Sequence, residues 1–593
     1  MKKLLVLILF LACAVEARAQ ATGLIANIAG RNHVSLDGQW KAIIDPYESG
    51  DQYHFNRDAS PKSKSEFQEY SFDATGSLSV PGDWNTQRAE LFFYEGAVWY
   101  KKSFDYERKG DTRLFVHFGA ANYIAEVYLN GEKVGRHEGG FTPFNFEITN
   151  LVKEKENSLV VKVDNKRYPD GVPTLMTDWW NYGGLTRAVT LVVVPQTFIE
   201  DYFLQLRRGT KNQISGWVKL NGDKLAQKIT VRIPEAKINK TFTTDANGTA
   251  QINFTADLSL WSPENPKLYN VSVEAETDHV EDSIGFRSIE VKGTEILLNG
   301  KPMFLRGVCI HEEAPLRSGR AYSREDAETL LGWAKELGAN FVRLAHYPHN
   351  ELMVREADRM GLLVWSEIPV YWGINFESPV AFAAAQNQLN EMIARDHNRA
   401  CVILWSVANE TPNNPARLTF LKKLVERARV LDPTRLMTAA MLHHYADERT
   451  QMIDDPLAEV LDVIGCNEYI GWYDGLPTKA DTMEWKTIYQ KPVVMSEFGA
   501  EAVYGLHGDD LTRWTEEYQE SFYRHQLGML KRIPFLRGTS PWILMDFRSP
   551  RRLLPGVQDY YNRKGLVSNR GERKKAFYVM QEFYRELQQR ADH

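Results

Sequence analysis

The 593-residue chain lacks the features that mark several common classes of protein. Its formal net charge is −6 and it contains no long basic run, so nucleic acid and anionic membranes are poor candidates for partners. It has no internal repeat and no low-complexity tract, which argues against a solenoid or a disordered linker. Its apolar fraction of 43% and charged fraction of 25% are those of an ordinary globular protein, and its length favours several domains.

A long apolar segment is missing after the first twenty residues, so no membrane anchor is expected in the mature chain. Lys2 and Lys3 precede a short apolar run at residues 4–12, and Ala17-Arg-Ala19 forms a small-x-small cleavage signature. This pattern predicts a signal peptide over residues 1–19. We therefore expect a periplasmic or secreted protein that has no membrane partner once the leader is removed.

Cysteine is scarce, because the chain has 4 and only three remain without the leader. Cys309, Cys401 and Cys466 all fall within predicted apolar strands. An oxidising compartment permits disulfides, but these positions favour buried free thiols. Their spacing does not match that of metal ligands, and the adjacent His443 and His444 lack a third ligand at a suitable spacing. We expect no metal and no cofactor in the chemistry of the protein, and whether it binds a structural metal ion stays open.

Short alternating runs separated by turn residues fill the first half of the chain. Residues 125–129, for example, are followed by the hairpin signal Asn130-Gly131. No helical segment of any length interrupts this pattern, which predicts an antiparallel β-sandwich over residues 20–195. A second all-β segment, residues 196–292, has the size of an immunoglobulin-like sandwich. Its candidate strands include residues 213–220, 228–233, 250–254 and 269–275.

From residue 293 to residue 593, apolar strand-sized runs alternate with helix-sized amphipathic segments, as in parallel β/α units. The eight candidate strands are residues 303–310, 340–345, 362–367, 402–408, 436–441, 460–466, 493–497 and 536–544. Helices are predicted between them, for instance over 323–337 and 417–431. Eight such strands favour a (β/α)8 barrel. A doubly wound open sheet is the alternative, but the Gly-rich phosphate turn that usually follows its first strand is missing.

Two glutamates end apolar runs that would face one another in such a barrel. Groups at the C-terminal ends of barrel strands point into the active site, and Glu410 follows strand four while Glu497 ends strand seven. Glycoside cleavage needs a pair of acids, one to attack the anomeric carbon and one to protonate the departing oxygen. A single strand-end Glu is better interpreted as a solvated acid, but an opposed pair favours catalysis. Asn409 carries an amide suited to a sugar 2-hydroxyl.

The motifs around these acids resemble those of glycoside hydrolase family 2. Trp405-Ser-Val-Ala-Asn-Glu410 is similar to the family's acid/base signature, and Met495-Ser-Glu-Phe-Gly499 to its nucleophile signature. Arg343-Leu-Ala-His-Tyr-Pro348 and the segment from Gly307 to Glu312 resemble the motifs of the second and first barrel strands. The resemblance covers nearly the whole mature chain. It implies a jelly-roll β-sandwich, an immunoglobulin-like β-sandwich and a catalytic barrel in this order, with Glu410 as general acid/base and Glu497 as nucleophile.

Within this family the β-glucuronidases are the most similar branch. The segments 466–473 and 500–507 resemble theirs, and Asn562-Arg-Lys564 matches the Asn-x-Lys pair with which they hold a uronic acid carboxylate. An ammonium and an amide N–H donate charge-assisted bonds to a carboxylate, worth about 1.5–3 kcal/mol. A neutral galactoside would leave Lys564 unpaired. A surface tripeptide in a basic loop is the alternative interpretation.

One departure from that branch leaves the sugar open. Its members commonly carry an Arg shortly before the Asn-x-Lys pair, where this chain has Gln558-Asp-Tyr-Tyr. Arg548, Arg551 and Arg552, which follow strand eight, are candidates to bind the carboxylate instead. They could also admit a different uronic acid such as galacturonate, or serve only as salt-bridge partners within the loop. The anionic character of the site is expected in either of the first two cases.

Further substrate-binding residues are assigned through the same resemblance. Asp178 belongs to a first-domain loop that reaches the active site in the family, with a solvated turn as the alternative. His311 and His346 end strands one and two, and we expect contacts with sugar hydroxyls unless these histidines are structural. Tyr473 and Trp542 complete the set.

Two residues are expected to control the charge of the nucleophile. Tyr469 should hold Glu497 ionised and oriented through a hydrogen bond, and Arg343 should keep the pKa of Glu497 low. Glu410 should enter protonated because burial and the negative charge of Glu497 raise its pKa. The two carboxyl groups of a retaining enzyme should lie about 5–5.5 Å apart.

The sequence thus predicts a retaining exo-β-glycosidase that hydrolyses terminal β-uronic acids, above all β-glucuronides, by double displacement. Its partner would be a small-molecule or oligosaccharide β-glycoside. A β-galacturonidase or β-galactosidase of the same family stays an alternative, as does a non-catalytic carbohydrate-binding protein. The oligomeric state stays open, and a homo-oligomer is compatible with the sequence.

Overall fold

The computed structural model describes residues 23–57, 63, 65 and 70–591. The predicted signal peptide, residues 1–19, therefore lies outside the described residues. Two antiparallel β-sandwiches are followed by a closed parallel barrel, in the order that the sequence predicts. This confirms the predicted fold class.

The first sandwich packs a six-stranded sheet on a four-stranded sheet. In spatial order the larger sheet consists of Ser77–Val80, Gly38–Asp45, Ala97–Phe104, Asn157–Asp164, Ile124–Leu129 and Glu132–Glu138. The smaller sheet consists of His33–Ser35, Val189–Pro195, Thr112–Phe118 and Phe144–Glu147. Side chains that alternate inward, among them Trp40, Val98 and Val116, form the core between the sheets. The predicted hairpin turn forms, with Asn130 and Gly131 at φ 53° and 88°.

The second sandwich contains the four strands predicted for it within one or two residues of their expected ends. One sheet consists of Phe198–Leu206, Gln213–Asn221 and Thr249–Thr255. The other consists of Ile238–Thr243, Lys228–Ile233, Tyr269–Glu274 and His279–Ile284. A small antiparallel sheet of Ile289–Lys292, Glu295–Leu298 and Lys301–Met303 then leads into the barrel.

The barrel has eight parallel strands that close on themselves. In order they are Leu305–Ile310, Phe341–Leu344, Leu363–Glu367, Val402–Asn409, Leu436–Met441, Ile464–Asn467, Val493–Glu497 and Leu536–Thr539, referred to below as barrel strands one to eight. Strand eight is shorter than predicted because the chain leaves the ladder at Ser540, after which the Trp542 N–H donates to Phe498 O. Strand six begins later than predicted, since Val460 caps a 3-10 turn.

Six α-helices surround the barrel, at Arg324–Glu336, Glu351–Met360, Pro379–Asp396, Pro415–Leu431, Glu516–Leu530 and Lys575–Ala591. The first begins at a capping box, in which Ser323 and Asp326 satisfy each other's backbone N–H groups. The fourth begins at Asn414, whose side chain accepts from the Arg417 N–H, with proline in the first turn. After strands five and six, 3-10 turns at Pro456–Glu459 and Pro477–Thr482 take the place of helices.

Cys309, Cys401 and Cys466 are buried free thiols, as predicted. They lie in or beside barrel strands one, four and six, where apolar side chains surround them. Among the described residues, no helix is both long enough and apolar enough to cross a membrane.

Candidate active site

Glu410 and Glu497 lie at the same end of the barrel, as the order of strands predicts. Glu497 is the last residue of barrel strand seven, and Glu410 directly follows barrel strand four. Asn467, at the end of strand six, lies between them. Its amide Nδ2 donates to Glu410 Oε1 over 2.9 Å, and its Oδ1 accepts from the Ser496 hydroxyl over 2.7 Å. The two carboxylates are close enough for the charge of Glu410 to act on the pKa of Glu497.

Three side chains surround the carboxylate of Glu497. Arg343 Nη1 donates to its Oε1 over 2.7 Å, and the Tyr469 hydroxyl donates to its Oε2 over 2.8 Å. His346 Nε2 lies 3.7 Å from Oε1. Burial raises the pKa of Glu497 above its ordinary value, and Glu410 adds to this, whereas Arg343, His346 and Tyr469 offset only part of the rise. Arg343 and Tyr469 thus lower the pKa of Glu497, as expected, but burial outweighs them and the pKa as a whole is raised.

A third acid, Glu367, ends barrel strand three and shares Arg343 with Glu497. It accepts from Arg343 Nη2 over 2.9 Å, from His346 Nδ1 over 2.8 Å and from Trp365 Nε1 over 2.7 Å. Burial opposes its ionisation, but Arg343 and His346 outweigh burial and lower the pKa of Glu367 to about 2. Glu367 is thus a fixed anion that neutralises Arg343 together with Glu497.

Glu410 is held differently, at a point where the backbone is strained. Trp372 Nε1 donates to Glu410 Oε2 over 2.8 Å, opposite the bond from Asn467. Glu410 and Trp372 both have left-handed backbone, with φ of 50° and 54°, which is uncommon for residues other than glycine. Such strain persists where the surrounding structure imposes it, typically at functional sites. Glu410 is also only partly buried, so its carboxyl group can meet a ligand.

Asn409 presents a free amide N–H to the site. Its Oδ1 accepts from Arg343 Nη2 over 2.7 Å and from Asn467 Nδ2 over 3.1 Å, which orients the amide group. Its Nδ2 is buried and has no acceptor among the described residues. An unsatisfied buried donor is costly, so the arrangement suits a ligand hydroxyl or oxygen at this position.

His311 and His346 lie side by side in the wall of the site. The His346 ring stacks on Trp542 at 4.7 Å, and its Nδ1 bonds to Glu367. His311 Nδ1 bonds to the Tyr347 hydroxyl over 3.2 Å, while its buried Nε2 has no partner among the described residues. Burial and the neighbouring His346 lower the pKa of His311 well below its ordinary value, so its ring is neutral. His311 therefore has a nitrogen available for a ligand, and His346 mainly orients Glu367.

Lys564 lies next to the Glu497 end of the site. Its ammonium donates to the Tyr473 hydroxyl over 2.8 Å, lies 3.3 Å from Glu501 Oε1 and sits 5.5 Å from the ring centre of Tyr469. Tyr469 is the residue whose hydroxyl bonds to Glu497. Lys564 is 1% exposed, so its charge is held almost entirely by these groups. The predicted Lys564 and Tyr473 thus meet beside the nucleophile.

Asp178 joins the same region from the first sandwich. Its carboxylate forms an ion pair with Arg552 and accepts from the Ser549 hydroxyl over 2.6 Å and from Asn562 Nδ2 over 3.2 Å. Burial opposes its charge, but Arg552 outweighs burial and holds the pKa of Asp178 below its ordinary value. The loop around Asp178 is therefore anchored over the barrel mouth and is not a solvated turn.

The arginines after barrel strand eight separate into different roles. Arg552 reaches the region of Lys564, where it contacts Asp178 and lies 3.3 Å from Glu501. Arg548 points away from Lys564, packs its guanidinium on Phe92 and Tyr561 and donates to Ser318. Arg551 stacks over Trp372 at 4.7 Å.

Buried ion pairs surround Lys564. Lys564 and Arg552 pair with Glu501 and Asp178, so the charges of this group balance. Arg563 and Lys574 share Asp546 in a neighbouring group. An ammonium has three N–H donors, and among the described residues Lys564 directs only two of them, to Tyr473 and Glu501, so one is left for an acceptor on a ligand.

Several of these residues were not singled out by the sequence. Glu367 carries the same signal as Glu410 and Glu497, since it ends an apolar barrel strand. Asn467 and Glu501 lie within segments that resemble the family, but neither position alone points to the site. Trp372 is in irregular chain, and no pattern would have found it.

Other groups in the structure do not suggest a different site. A cavity of about 930 Å³ lies between the two sandwiches. Four of its charged lining residues form ion pairs with one another, Arg113 with Glu147 and Lys219 with Glu200. Among the described residues, no three His, Cys, Asp or Glu side chains are arranged to hold a metal ion.

Comparison with known proteins places the chain among glycosidases. Residues 34–195 match the sugar binding domain of glycosyl hydrolases family 2, residues 197–287 match a further domain of that family, and residues 289–552 match its TIM barrel domain. A β-glucuronidase of Rattus norvegicus is 30% identical, with 86% of this chain and 85% of the relative covered. A β-glucuronidase of Paenibacillus borealis is 28% identical, with 93% and 96% covered.

A solved structure agrees with these relatives. The β-glucuronidase of Bifidobacterium dentium, complexed with coumarin-3-O-glucuronide, matches with a TM-score of 0.82 and 25% identity, over 94% of this chain and 97% of that one. The three domain matches and the relative at 30% identity agree with the order of domains and with the paired carboxylates at the barrel mouth. The chain belongs to glycoside hydrolase family 2 and is a glycoside hydrolase.

Proposed function

We propose that this enzyme is a retaining exo-β-glucuronidase, which removes terminal β-linked glucuronic acid from its substrates. The observation that carries the proposal is the buried ammonium of Lys564 beside Tyr469, the hydrogen-bond partner of the candidate nucleophile. A pyranose whose anomeric carbon faces Glu497 would extend its carboxylate toward Lys564 and Asn562. The relatives named above carry the same activity in their names.

The candidate catalytic residues have the surroundings that double displacement requires. Glu497 is oriented by Arg343 and Tyr469 for attack on the anomeric carbon. Glu410 donates its proton to the aglycone oxygen, and Trp372 and Asn467 hold it in place. After the aglycone leaves, Glu410 takes a proton from water, which attacks the glycosyl–enzyme and restores the β configuration.

Two further groups favour the glycosyl-enzyme reaction. The free Asn409 Nδ2 can donate to the 2-hydroxyl, a bond that strengthens as the oxocarbenium-like transition state forms. The unpartnered His311 Nε2 can bind another sugar hydroxyl. Both catalytic carboxylates are present and supported, which argues against a protein that only binds carbohydrate.

Selectivity for a uronic acid follows from the ammonium of Lys564. A uronate carboxylate would accept a charge-assisted bond from its remaining N–H, whereas the hydroxymethyl group of a galactoside would offer only a neutral acceptor. Charge-assisted bonds to a carboxylate contribute about 1.5–3 kcal/mol, which corresponds to roughly ten- to a hundred-fold in kcat/KM.

Chromogenic glucuronide, galacturonide and galactoside substrates test the proposal. The wild-type enzyme should favour the glucuronide, and Lys564→Gln should lower its kcat/KM by roughly ten- to a hundred-fold while leaving the galactoside rate nearly unchanged. Lys575→Gln is the matched control, since this lysine pairs with Glu517 outside the site. A preference for galactoside or galacturonide in the wild type, or an unchanged glucuronide rate in the Lys564 variant, would contradict the proposal.

We also propose that the enzyme is exported and acts in the periplasm or outside the cell. The support is the leader pattern of residues 1–19. Expression of the full chain in a bacterial host, followed by N-terminal sequencing of the protein from the periplasm and medium, tests this. A mature protein that retains Met1 in the cytoplasm would contradict it.

A further inference from the structure

A second cavity, of about 490 Å³, lies between the first sandwich and the chain after barrel strand eight. Small-molecule sites are typically about 300–1,000 Å³ in volume. Its lining includes Arg167, Trp179 and Arg551, with the largely exposed Leu175 and Met176 at its edge. The cavity therefore has donor groups inside and an apolar lip.

The donors of this cavity are not used within the protein. Arg167 donates through Nε to Asn181 over 3.1 Å, but its buried Nη1 and Nη2 have no partner among the described residues. The buried Trp179 Nε1 likewise lacks an acceptor there. Arg551 is exposed, stacks on Trp372 and forms no ion pair with any residue that the structure describes. Buried donors without acceptors are rare in proteins and suit a ligand that supplies acceptors.

The charge of the lining is positive. Lys166 also borders the cavity, but it is paired with Glu48, and the single lining acid, Glu95, accepts from Asn181. Arg167 and Arg551 against Glu95 leave one positive charge in excess. Burial lowers the pKa of Arg167 to about 10, so it stays charged at neutral pH.

The cavity lies on the side of the site from which the aglycone leaves, not on the side that holds the glycone. Arg551 lies on Trp372, and Trp372 donates to Glu410, the residue that protonates the departing oxygen. The aglycone must leave from the Glu410 side, whereas Lys564 lies on the Glu497 side. A group that extends from the glycosidic oxygen past Trp372 would therefore reach Arg551 and then Arg167.

We propose that this cavity is an aglycone subsite for a sugar that carries an anionic group, either a carboxylate or a sulfate ester. The proposal rests on the proposed function, since it assigns the sugar unit on the leaving-group side of the bond that the enzyme cleaves. Guanidinium groups bind both oxyanions through paired N–H donors, and the apolar edge at Leu175 and Met176 suits the C–H face of a pyranose. The natural substrate would then be the terminal glucuronide of an acidic oligosaccharide.

Matched substrates test the inference. The glucuronide is linked to a neutral hexose, to the same hexose bearing a sulfate ester, or to the corresponding uronic acid, and release of glucuronic acid is measured alongside hydrolysis of 4-nitrophenyl β-glucuronide. The wild type should cleave at least one acidic-aglycone substrate about ten-fold faster in kcat/KM than the neutral one. The preference should fall as ionic strength rises. The sulfate and uronate arms identify which anion the subsite accepts.

Variants then assign the preference to the cavity. Arg167→Gln and Arg551→Gln should each reduce the ratio of acidic to neutral kcat/KM about ten-fold, and Arg167→Lys should retain part of it. Lys166→Gln removes a charge from the same wall that Glu48 already neutralises, and it should leave the ratio unchanged.

Two outcomes separate this inference from the proposed function. If the wild type cleaves the neutral-aglycone substrate as fast as the acidic ones, or if both arginine variants lower all rates in proportion, the subsite is wrong while the glucuronidase assignment stands. If the wild type hydrolyses no glucuronide at all, including the 4-nitrophenyl substrate, the proposed function fails and the subsite with it.

Discussion

The two sides of the site are built in different ways. On the catalytic side, Glu410 and Glu497 are placed by barrel strands four and seven, and Arg343 by strand two. On the side of Lys564, the chain after Thr539 is largely irregular, and its charged groups are placed by ion pairs with one another. One of these pairs, between Asp178 and Arg552, joins residues 374 positions apart in two different domains.

This difference separates what sets the reaction from what sets the substrate. Strand geometry fixes where the catalytic carboxylates lie, so the two side chains can be varied without removing the framework. The Lys564 side depends on charges that neutralise one another, so each side chain there is both framework and binding group. Replacements on the catalytic side should therefore affect rate, and replacements on the Lys564 side should affect both selectivity and stability.

The largest effects should follow from removing the catalytic carboxylates. Glu497→Ala should lower kcat for 4-nitrophenyl β-glucuronide on the order of 10⁴-fold or more, because no covalent intermediate can form. Glu410→Ala should lower it by about 10²–10⁴-fold, and less for activated aglycones, which need no proton. Steady-state kinetics on a series of phenyl glucuronides of differing leaving-group pKa checks both.

Azide distinguishes the two roles. In Glu410→Ala it should accelerate turnover and give β-glucuronosyl azide, because it can attack the glycosyl–enzyme without a general base. Glu497→Ala has no glycosyl–enzyme and should yield no β-azide. A β-azide from the Glu497 variant would show that the two assignments are reversed.

The sequence predicted the catalytic side better than the Lys564 side, because strands place the catalytic residues whereas ion pairs place the residues around Lys564. Alternation and apolar runs located all eight barrel strands and, through them, Glu410 and Glu497. Glu367 also ends an apolar barrel strand, and only its bonds to Arg343 and His346 show that it is a fixed anion. A single sequence cannot show how one guanidinium divides its charge between two carboxylates.

Beyond strand eight, the sequence offered a set of candidates without a means to choose among them. Arg548, Arg551 and Arg552 lie within five positions, yet one packs on Phe92, one on Trp372 and one binds Asp178. Their directions depend on contacts with the first sandwich, which local pattern does not encode. The Asn-x-Lys pair could be recognised only because it resembles a family motif.

A stability measurement tests whether the Lys564 side is held by its charges. Glu501 is fully buried and contacts Lys564, Arg552 and Gln558. Glu501→Gln keeps its shape but leaves the buried Lys564 without its counterion and Arg552 with Asp178 alone, and breaking a buried pair costs roughly 3–5 kcal/mol. The barrel transition in differential scanning calorimetry should therefore move to lower temperature.

Glu410→Gln serves as the comparison on the catalytic side. It replaces a partly exposed side chain with one of nearly the same shape and breaks no ion pair among the described residues, so the free energy of unfolding should change by less than about 1 kcal/mol. Equal destabilisation by the Glu501 and Glu410 variants would remove the distinction between the two sides.

The smallest expected effect concerns the pH dependence of the nucleophile. Glu497 attacks only when ionised, so kcat/KM for a glucuronide should fall as the pH drops through its pKa, which burial raises above 4.5. Tyr469→Phe removes a donor that favours the charged form, so the pKa should rise further. A hydrogen bond of about 0.5–1.5 kcal/mol corresponds to roughly half to one pH unit. The acid limb of the profile should therefore move to higher pH by that amount. Tyr518→Phe is the control, because its hydroxyl donates to the Gly471 carbonyl and not to a carboxylate of the site. A limb that moves equally in both variants, or to lower pH, would show that Tyr469 does not stabilise the ionised nucleophile.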